Sequence, residues 1–443
     1  MPLSRRALLA QAAQAVLPVA RKNVLLIMVD DLNTDLGCYG HPLVQTPHID
    51  RLARRGVRFS HAYCNYPVCN PSRSSYLSGR YPEQTGVLDN TADPHKQLPG
   101  VDFMPAYLRQ RGYFTAAVGK IYHDGMDAPN DWNHFANPKG SANVNQGEGR
   151  NLTEGKFPYF HWVASEAPEE EHPDALIAAE AVQLLEQKQT QPFFLAVGFR
   201  KPHDRYIAPK KYFHLYPLDR IPPAVGPADD AADIPPMAFP QSNLKLGVAE
   251  AKEFRRAYWS CISFMDAQVG KVLDALDRSG QRDSTLVIFL SDHGLHLGEH
   301  DWWNKVALWE RTTRVPFIAA GPMVLDAGRS SANLVELVDL FPTVTDFAGL
   351  PPAPRQAGRS ILPALADPSA TWNRSAYTMV MRPGGKKGRA LRTARFRYVE
   401  WDERKGGVEL YDHDSDPGEF RNLAGDPNYE GHRERLQSAL EKR

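Results

Sequence analysis

Asn23-Val24-Leu25-Leu26-Ile27-Met28-Val29-Asp30-Asp31 decides the fold, because it joins an unbroken apolar run to a pair of carboxylates. A run of this length, rich in branched side chains, predicts a strand buried on both faces. Tyr113-Phe114-Thr115-Ala116-Ala117-Val118, Pro192-Phe193-Phe194-Leu195-Ala196-Val197-Gly198-Phe199 and Ser284-Thr285-Leu286-Val287-Ile288-Phe289-Leu290-Ser291 read the same way. Between them, apolar residues recur at helical spacing over 175–185 and 254–276, and beyond the last strand over 334–348. Strands alternating with helices predict an α/β fold: a large, mostly parallel sheet flanked by helices. In such sheets ligands bind outside the carboxyl ends of the strands. Here every predicted strand runs straight into polar chemistry, namely Asp30-Asp31, then Gly119-Lys120-Ile121-Tyr122-His123, then Lys201-Pro202-His203, then Asp292-His293-Gly294.

The rest of the chain frames this core. Residues 127–173 and 206–243 lack periodicity and are expected to be long loops. After Pro351-Pro352 the pattern changes to short antiparallel strands over 391–401 and 408–411, joined through Gly406-Gly407. A turn at Asp416-Pro417-Gly418 and a closing helix over 432–442 follow. The expected organisation is a leader at 1–22, a catalytic domain at 23–350 and a smaller C-terminal subdomain at 351–443 built on a short antiparallel sheet.

The 443 residues carry 52 Lys+Arg against 52 Asp+Glu, so the net charge is zero, no field of one sign covers the molecule, and nucleic acid is not the expected partner. The four cysteines, Cys38, Cys64, Cys69 and Cys261, match neither a zinc spacing nor a disulfide framework. Arg5-Arg6 before an Ala-rich stretch suggests a Tat-like export signal, and hence a periplasmic location. No uninterrupted apolar stretch long enough to span a membrane follows it.

Asp30, Asp31 and Asp292 gathered at one place would repel one another unless a cation lay between them, and oxygen donors suit calcium or magnesium. His293 could add a ring nitrogen. Arg73 and Lys120 are cations suited to a sulfate or phosphate. His123 and His203 titrate in the range useful for proton transfer. Lys305 is a further cation soon after the fourth strand. Cys69-Asn70-Pro71-Ser72-Arg73 reads C-x-P-S-R ahead of a helix expected to begin near Ser72.

This stretch, continued by Leu77-Ser78-Gly79-Arg80, resembles the signature of type I sulfatases of the alkaline phosphatase superfamily. Gly198-Phe199-Arg200-Lys201-Pro202-His203 and Ser291-Asp292-His293-Gly294-Leu295-His296-Leu297-Gly298-Glu299-His300 are similar to the iduronate-2-sulfatase branch, and the likeness runs from about Asn23 to Ala424. The resemblance implies that a formylglycine-generating enzyme oxidises Cys69 to formylglycine, whose hydrate is the nucleophile. It implies one calcium ion on Asp30, Asp31, Asp292, His293 and the residue-69 oxygen. Arg73 and Lys120 would hold hydrate and sulfate, and Asp292 would take the attacking proton. His203 or Lys305 would protonate the leaving oxygen, and His123 would take the proton whose loss expels sulfate. A sulfated saccharide such as a 2-O-sulfated uronate is the implied substrate. Phosphonate or phosphate monoesters, choline or aryl sulfates, and non-catalytic binding of sulfated glycans remain the alternatives. Asn70 departs from the small residue usual after the cysteine, with little expected effect. Arg200, Lys201 and Arg205 could contact a carboxylate or be solvated.

Overall fold

A computed structural model describes residues 22–187, 190–223, 226–227, 229–240 and 246–443. The leader at 1–22 therefore lies outside the described residues except for Lys22. Fifteen strands form three sheets among the described residues. In chain order they are β1 (Asn23–Val29), β2 (Gly56–Tyr63), β3 (Phe114–Gly119), β4 (His134–Ala136), β5 (Gly147–Asn151), β6 (His161–Ser165), β7 (Phe193–Phe199), β8 (Tyr206–Pro209), β9 (Thr285–Ser291), β10 (Phe317–Ala320), β11 (Arg329–Glu336), β12 (Ala376–Arg382), β13 (Lys386–Arg392), β14 (Phe396–Trp401) and β15 (Gly407–Asp412). The principal helices are α1 (Pro47–Arg55), α2 (Cys69–Ser78), α3 (Pro173–Glu186), α4 (Val248–Arg278), α5 (Leu340–Ala348) and α6 (Glu430–Glu441).

The large sheet has the order β11-β2-β10-β9-β1-β7-β3-β4, and every pairing is parallel except the two made by β10. Strand β1 pairs with β7 on one side and β9 on the other, so its backbone is satisfied within the sheet. Its side chains alternate between faces, as a pleated strand requires. Leu25, Ile27 and Val29 join the apolar cluster under α1, α3 and α4, whereas Val24, Leu26 and Met28 join the cluster under α2 and α5. The four apolar runs are continuous for that reason: each must be oily on both sides.

The second sheet, β12-β13-β14-β15, is antiparallel and carries its own apolar cluster, which also takes in Trp302 and Trp309. Several expectations change. The segment 127–173 holds β4, β5 and β6, and β8 opens the next stretch. Strands β5, β6 and β8 form a third sheet whose β5 is glycine-rich and exposed, and so leaves no apolar pattern. Residues 334–336 end β11, with Leu334 and Val335 paired to His61 and Ala62, and the helix expected from 334 begins only at Leu340. The single strand expected over 391–401 is two, because the Thr393 amide donates to the Phe396 carbonyl at 2.8 Å and turns the chain. Residues 402–406 join β14 to β15, so Gly406 lies in the connection as expected while Gly407 already opens β15, paired with Trp401. All four cysteines are free thiols.

Candidate active site

Strands β1, β3, β7 and β9 run parallel, so Asp30-Asp31, Lys120, the 200–205 segment and Asp292-His293 emerge at one edge of the sheet. Helix α2 meets that edge. It begins at Cys69, three residues earlier than expected. Pro71 falls in its first turn, where a missing N–H costs nothing, and all ten of its residues are buried. Cys69 and Arg73 are four residues apart and share a face. Gly119 allows β3 and β7 to close up before Lys120: its φ is +85°, and a Cβ there would lie 2.2 Å from the Gly198 carbonyl oxygen.

Arg73, 1% exposed, organises the centre. Its Nε donates to Asp292 Oδ2 at 2.9 Å and its Nη2 to Asp30 Oδ1 at 3.1 Å. Its Nη1 donates to the carbonyls of Lys120 and Ile121 at 2.7 and 3.0 Å. Lys120 Nζ reaches Asp30 Oδ2 at 2.5 Å. Lys305 Nζ lies 2.7 Å from Asp31 Oδ1 and 3.1 Å from Cys69 Sγ. His293 donates from Nδ1 to the Gly294 carbonyl at 3.0 Å, and its Nε2 faces Cys69 Sγ at 3.4 Å and Asp31 Oδ1 at 3.3 Å. His203 presents Nε2 to Asp31 Oδ2 at 3.9 Å and holds Asp204 Oδ1 with Nδ1 at 2.8 Å. Asp31 sits at φ +63°, a left-handed conformation uncommon outside glycine. The Tyr258 hydroxyl donates to its carbonyl at 2.7 Å, and Ser291 Oγ receives the Leu32 amide at 2.9 Å.

The charges set one another. Burial would raise the Asp30 carboxyl, but Lys120, His203 and Arg73 hold it well below the usual carboxylate range. Burial opposes ionisation of Cys69, yet Lys305 leads a set of cations that keeps the thiol well below its ordinary value. Asp292 is pushed up by burial to about 6, with His293 and Arg73 pulling against it. His293 is disfavoured as a cation by burial, but Asp292 and Cys69 raise it to about 9.

One ligand atom each from Asp30, Asp31, Cys69 and His203 lies within 4.8 Å of the others, and so does one each from Cys69, Asp292 and His293. Carboxylate oxygens dominate this donor set, and His293 Nε2, once deprotonated, completes it, so the residues fit a hard divalent cation. The structure thus brings together Cys69, Arg73, Lys120, His203, Asp292, Lys305, Asp30, Asp31 and His293. His123 is half-buried, and its Nδ1 has no partner among the described residues. Arg200 is not free: its guanidinium grips Asp124 at 2.9 and 3.1 Å and Asn137 at 3.0 Å. Asn70 is not idle either. Its Nδ2 donates to the carbonyls of Asp89 and Ala92 at 2.9 and 2.7 Å, pinning that loop beside α2. Sequence reasoning missed Asp204 as the partner of His203, although a carboxylate next to a candidate proton donor is a visible signal. It also missed Tyr258, which holds the Asp31 carbonyl, and Ser291, which holds the next amide, that of Leu32, both from elements far away in sequence.

The family model described as Sulfatase matches residues 22–350 of this chain. The chain belongs to the sulfatase family. A second model, N-sulphoglucosamine sulphohydrolase, C-terminal, matches residues 298–443 of the sulfatase. A relative named Sulfatase from Formosa agariphila is 32% identical over 460 residues, covering 96% of this chain and 87% of the relative. Iduronate 2-sulfatase of Homo sapiens is 31% identical over 506 residues and covers 91% of each chain. Among solved structures, a protein in complex with its substrate D-glucosamine-2-N,6-O-disulfate superposes with TM-score 0.79 at 24% identity, covering 95% and 97%. A phosphonate monoester hydrolase of Agrobacterium radiobacter superposes with TM-score 0.81 at 23% identity, covering 95% of each. The fold of the sulfatase is alkaline phosphatase-like, with a large mostly parallel sheet and a separate small antiparallel sheet. Among the described residues no helix is long and apolar enough to cross a membrane.

Proposed function

We propose that this sulfatase releases sulfate from a sulfated saccharide, with a 2-O-sulfated uronate as the favoured substrate. The observation that carries the reading is the position of Cys69 Sγ, 3.1 Å from Lys305 Nζ and grouped with Asp30 and Asp31. Relatives named iduronate 2-sulfatase support the choice of sugar. A cysteine-derived aldehyde hydrate at position 69 would supply an oxygen nucleophile. A calcium ion held by Asp30, Asp31, Asp292 and His293 would supply positive charge next to the sulfuryl oxygens.

The remaining chemistry belongs to the side chains. Arg73 and Lys120 present fixed positive charge at the carboxylate cluster, so an anionic ester enters a site that is already neutralised. Lys305 Nζ is placed to hold a sulfuryl oxygen beside residue 69. His203 stores a proton for the leaving oxygen: burial disfavours its charge, but Asp31 and Asp30 raise it well above the ordinary histidine range. Asp292 accepts the amides of Asp31 and His293 at 3.1 and 3.0 Å, which fixes the carboxylate that would take the nucleophile's proton. His123, with Nδ1 unpaired, is the base for the second half of the reaction.

The organisation proposed is a catalytic domain over 23–350 and a subdomain over 351–443 that buttresses it. Glu310 lies five residues beyond Lys305, and Arg397 of β14 pairs with it. A twin-arginine leader at 1–22 would export the folded, already modified protein to the periplasm. The test is sulfate release from a panel of 2-O-sulfated uronates, sulfated hexosamines, choline sulfate, aryl sulfates and phosphonate monoesters. Preference for the sulfated uronate, lost in Cys69→Ala with the fold retained, is expected. Preference for phosphonates, or turnover by Cys69→Ala, would overturn the proposal.

A further inference from the structure

A cavity of about 420 Å³, a volume in the range of small-molecule pockets, opens against the loop that carries Lys201, Asp204 and Arg205. Its walls include Ser141, Asn145, His172, Lys201, Asp204 and Arg205. It touches the candidate active site through Asp204, whose carboxylate holds His203 Nδ1 at 2.8 Å. An occupant of the cavity would therefore meet the carboxylate that holds this imidazole.

The polar inventory of the walls is unbalanced. Arg205 is exposed, and its guanidinium has no hydrogen bond or ion pair among the described residues. Lys201 Nζ donates to the carbonyls of His203 and Arg205 at 3.0 and 2.5 Å, which pins the loop, and its charge acts on Asp174 and Asp204 without a direct ion pair among the described residues. Asp204 is engaged by His203, and Asp174 accepts the amides of Arg200 and Lys201 at 2.9 Å each. His172 is 1% exposed, and its Nε2 has no partner. A buried polar atom in that state costs free energy until something bonds to it. Burial, with Lys201 adding to it, lowers His172 to about 4, so its ring is neutral and available as a hydrogen-bonding wall. One unengaged guanidinium, that of Arg205, and one unsatisfied imidazole around a sugar-sized space call for an anion with hydroxyls.

We propose that this cavity is a second saccharide subsite, which takes the carboxylate or sulfate of a sugar next to the one carrying the scissile ester, with Arg205 and Lys201 as its cationic contacts. The assignment rests on the saccharide reading above and extends it from the reacting residue to its neighbour. It also separates three cations that sequence could not distinguish. Arg200 is spent on Asp124 and Asn137, Lys201 is shared with the loop backbone, and Arg205 is unengaged.

The test combines binding with kinetics. Calorimetry measures a uronate-containing disaccharide lacking the scissile sulfate, its carboxyl-reduced form, and a form bearing sulfate in place of the carboxylate. Each is titrated into the wild type, Arg205→Ala, Arg205→Lys and Asn145→Trp, the last filling an exposed part of the wall. Loss of one charge-assisted contact should weaken the charged disaccharides about tenfold in Arg205→Ala and by less in Arg205→Lys. The carboxyl-reduced form should discriminate far less between wild type and variants. Asn145→Trp should reproduce the loss without removing a charge. In parallel, the ratio of kcat/KM for a sulfated disaccharide over p-nitrophenyl sulfate should fall about tenfold in Arg205→Ala. Equal binding of charged and reduced disaccharides by the wild type, or identical affinities in all four proteins, would overturn the subsite. Binding does not require turnover, so a wild type that discriminates the disaccharides yet hydrolyses no sulfate ester would sink the sulfatase chemistry while leaving the subsite standing.

Discussion

Replacing Arg73 by methionine tests the electrostatic design of the site. The guanidinium is buried and makes four contacts, two to carboxylates and two to main-chain carbonyls. Methionine keeps much of the volume but leaves Asp30 with Lys120 as its remaining close cation and takes from Asp292 its direct guanidinium contact. Breaking a buried pair from one side costs about 3–5 kcal/mol. The orphaned carbonyls of Lys120 and Ile121 add about 1 kcal/mol each. A loss of about 5–7 kcal/mol is thus expected, a large share of a typical domain's stability. The assay is equilibrium unfolding in guanidinium chloride at neutral pH, with Arg54→Met, at an exposed position on α1, as the control. The control should change stability by less than about 0.5 kcal/mol. Arg73→Lys should fall between the two, since an ammonium cannot reach all four acceptors. Stability of Arg73→Met within 1 kcal/mol of wild type would mean that Asp30 and Asp292 are not held as a charged pair, and the account of the site would fail.

Other outcomes follow from the same geometry. His203→Ala should slow esters with poor leaving groups far more than activated aryl sulfates, and Asp204→Asn should act in the same direction more weakly; equal slowing of both ester classes would remove His203 as the proton donor. Chelation should abolish turnover and lower the melting temperature, with calcium restoring both, whereas a melting curve indifferent to chelator would contradict a resident cation. Asp35 is raised by burial but pulled down to about 2 by Arg311, His41 and Trp259. Its folded value lies below its unfolded value of 3.8, so the stabilisation is present above that pH and is lost as pH falls toward 2. Asp35→Asn should remove about 2 kcal/mol at neutral pH and flatten the acid limb of the stability curve.

Much of this architecture was legible because the central strands are covered on both faces. Val24 to Val29 can only be apolar, and so can most of Phe193 to Phe199. Strand β2 was not, because Arg58, Ser60 and His61 are only partly buried and interrupt its pattern. Strand β10 has only four residues, and it is the strand that runs against the rest of the sheet. The catalytic edge was readable because each chemical group directly follows a strand or opens a helix. What was hidden is partnership across the fold. Nothing in the order of residues says that Asp124 and Asn137 occupy Arg200, that Lys201 bonds its own loop, or that Tyr258 supports Asp31 from a distant helix. Those contacts decide which cations are left for substrate.

Residue 69, beside the Asp30-Asp31-Asp292 cluster, is expected to become the nucleophile by oxidation. Mass spectrometry of the proteolytic peptide carrying residue 69, from protein made in its native host, reads this directly. An aldehyde at that position, trapped by a hydrazine reagent, is the predicted result. An intact thiol in protein that nevertheless turns over sulfate esters would contradict it.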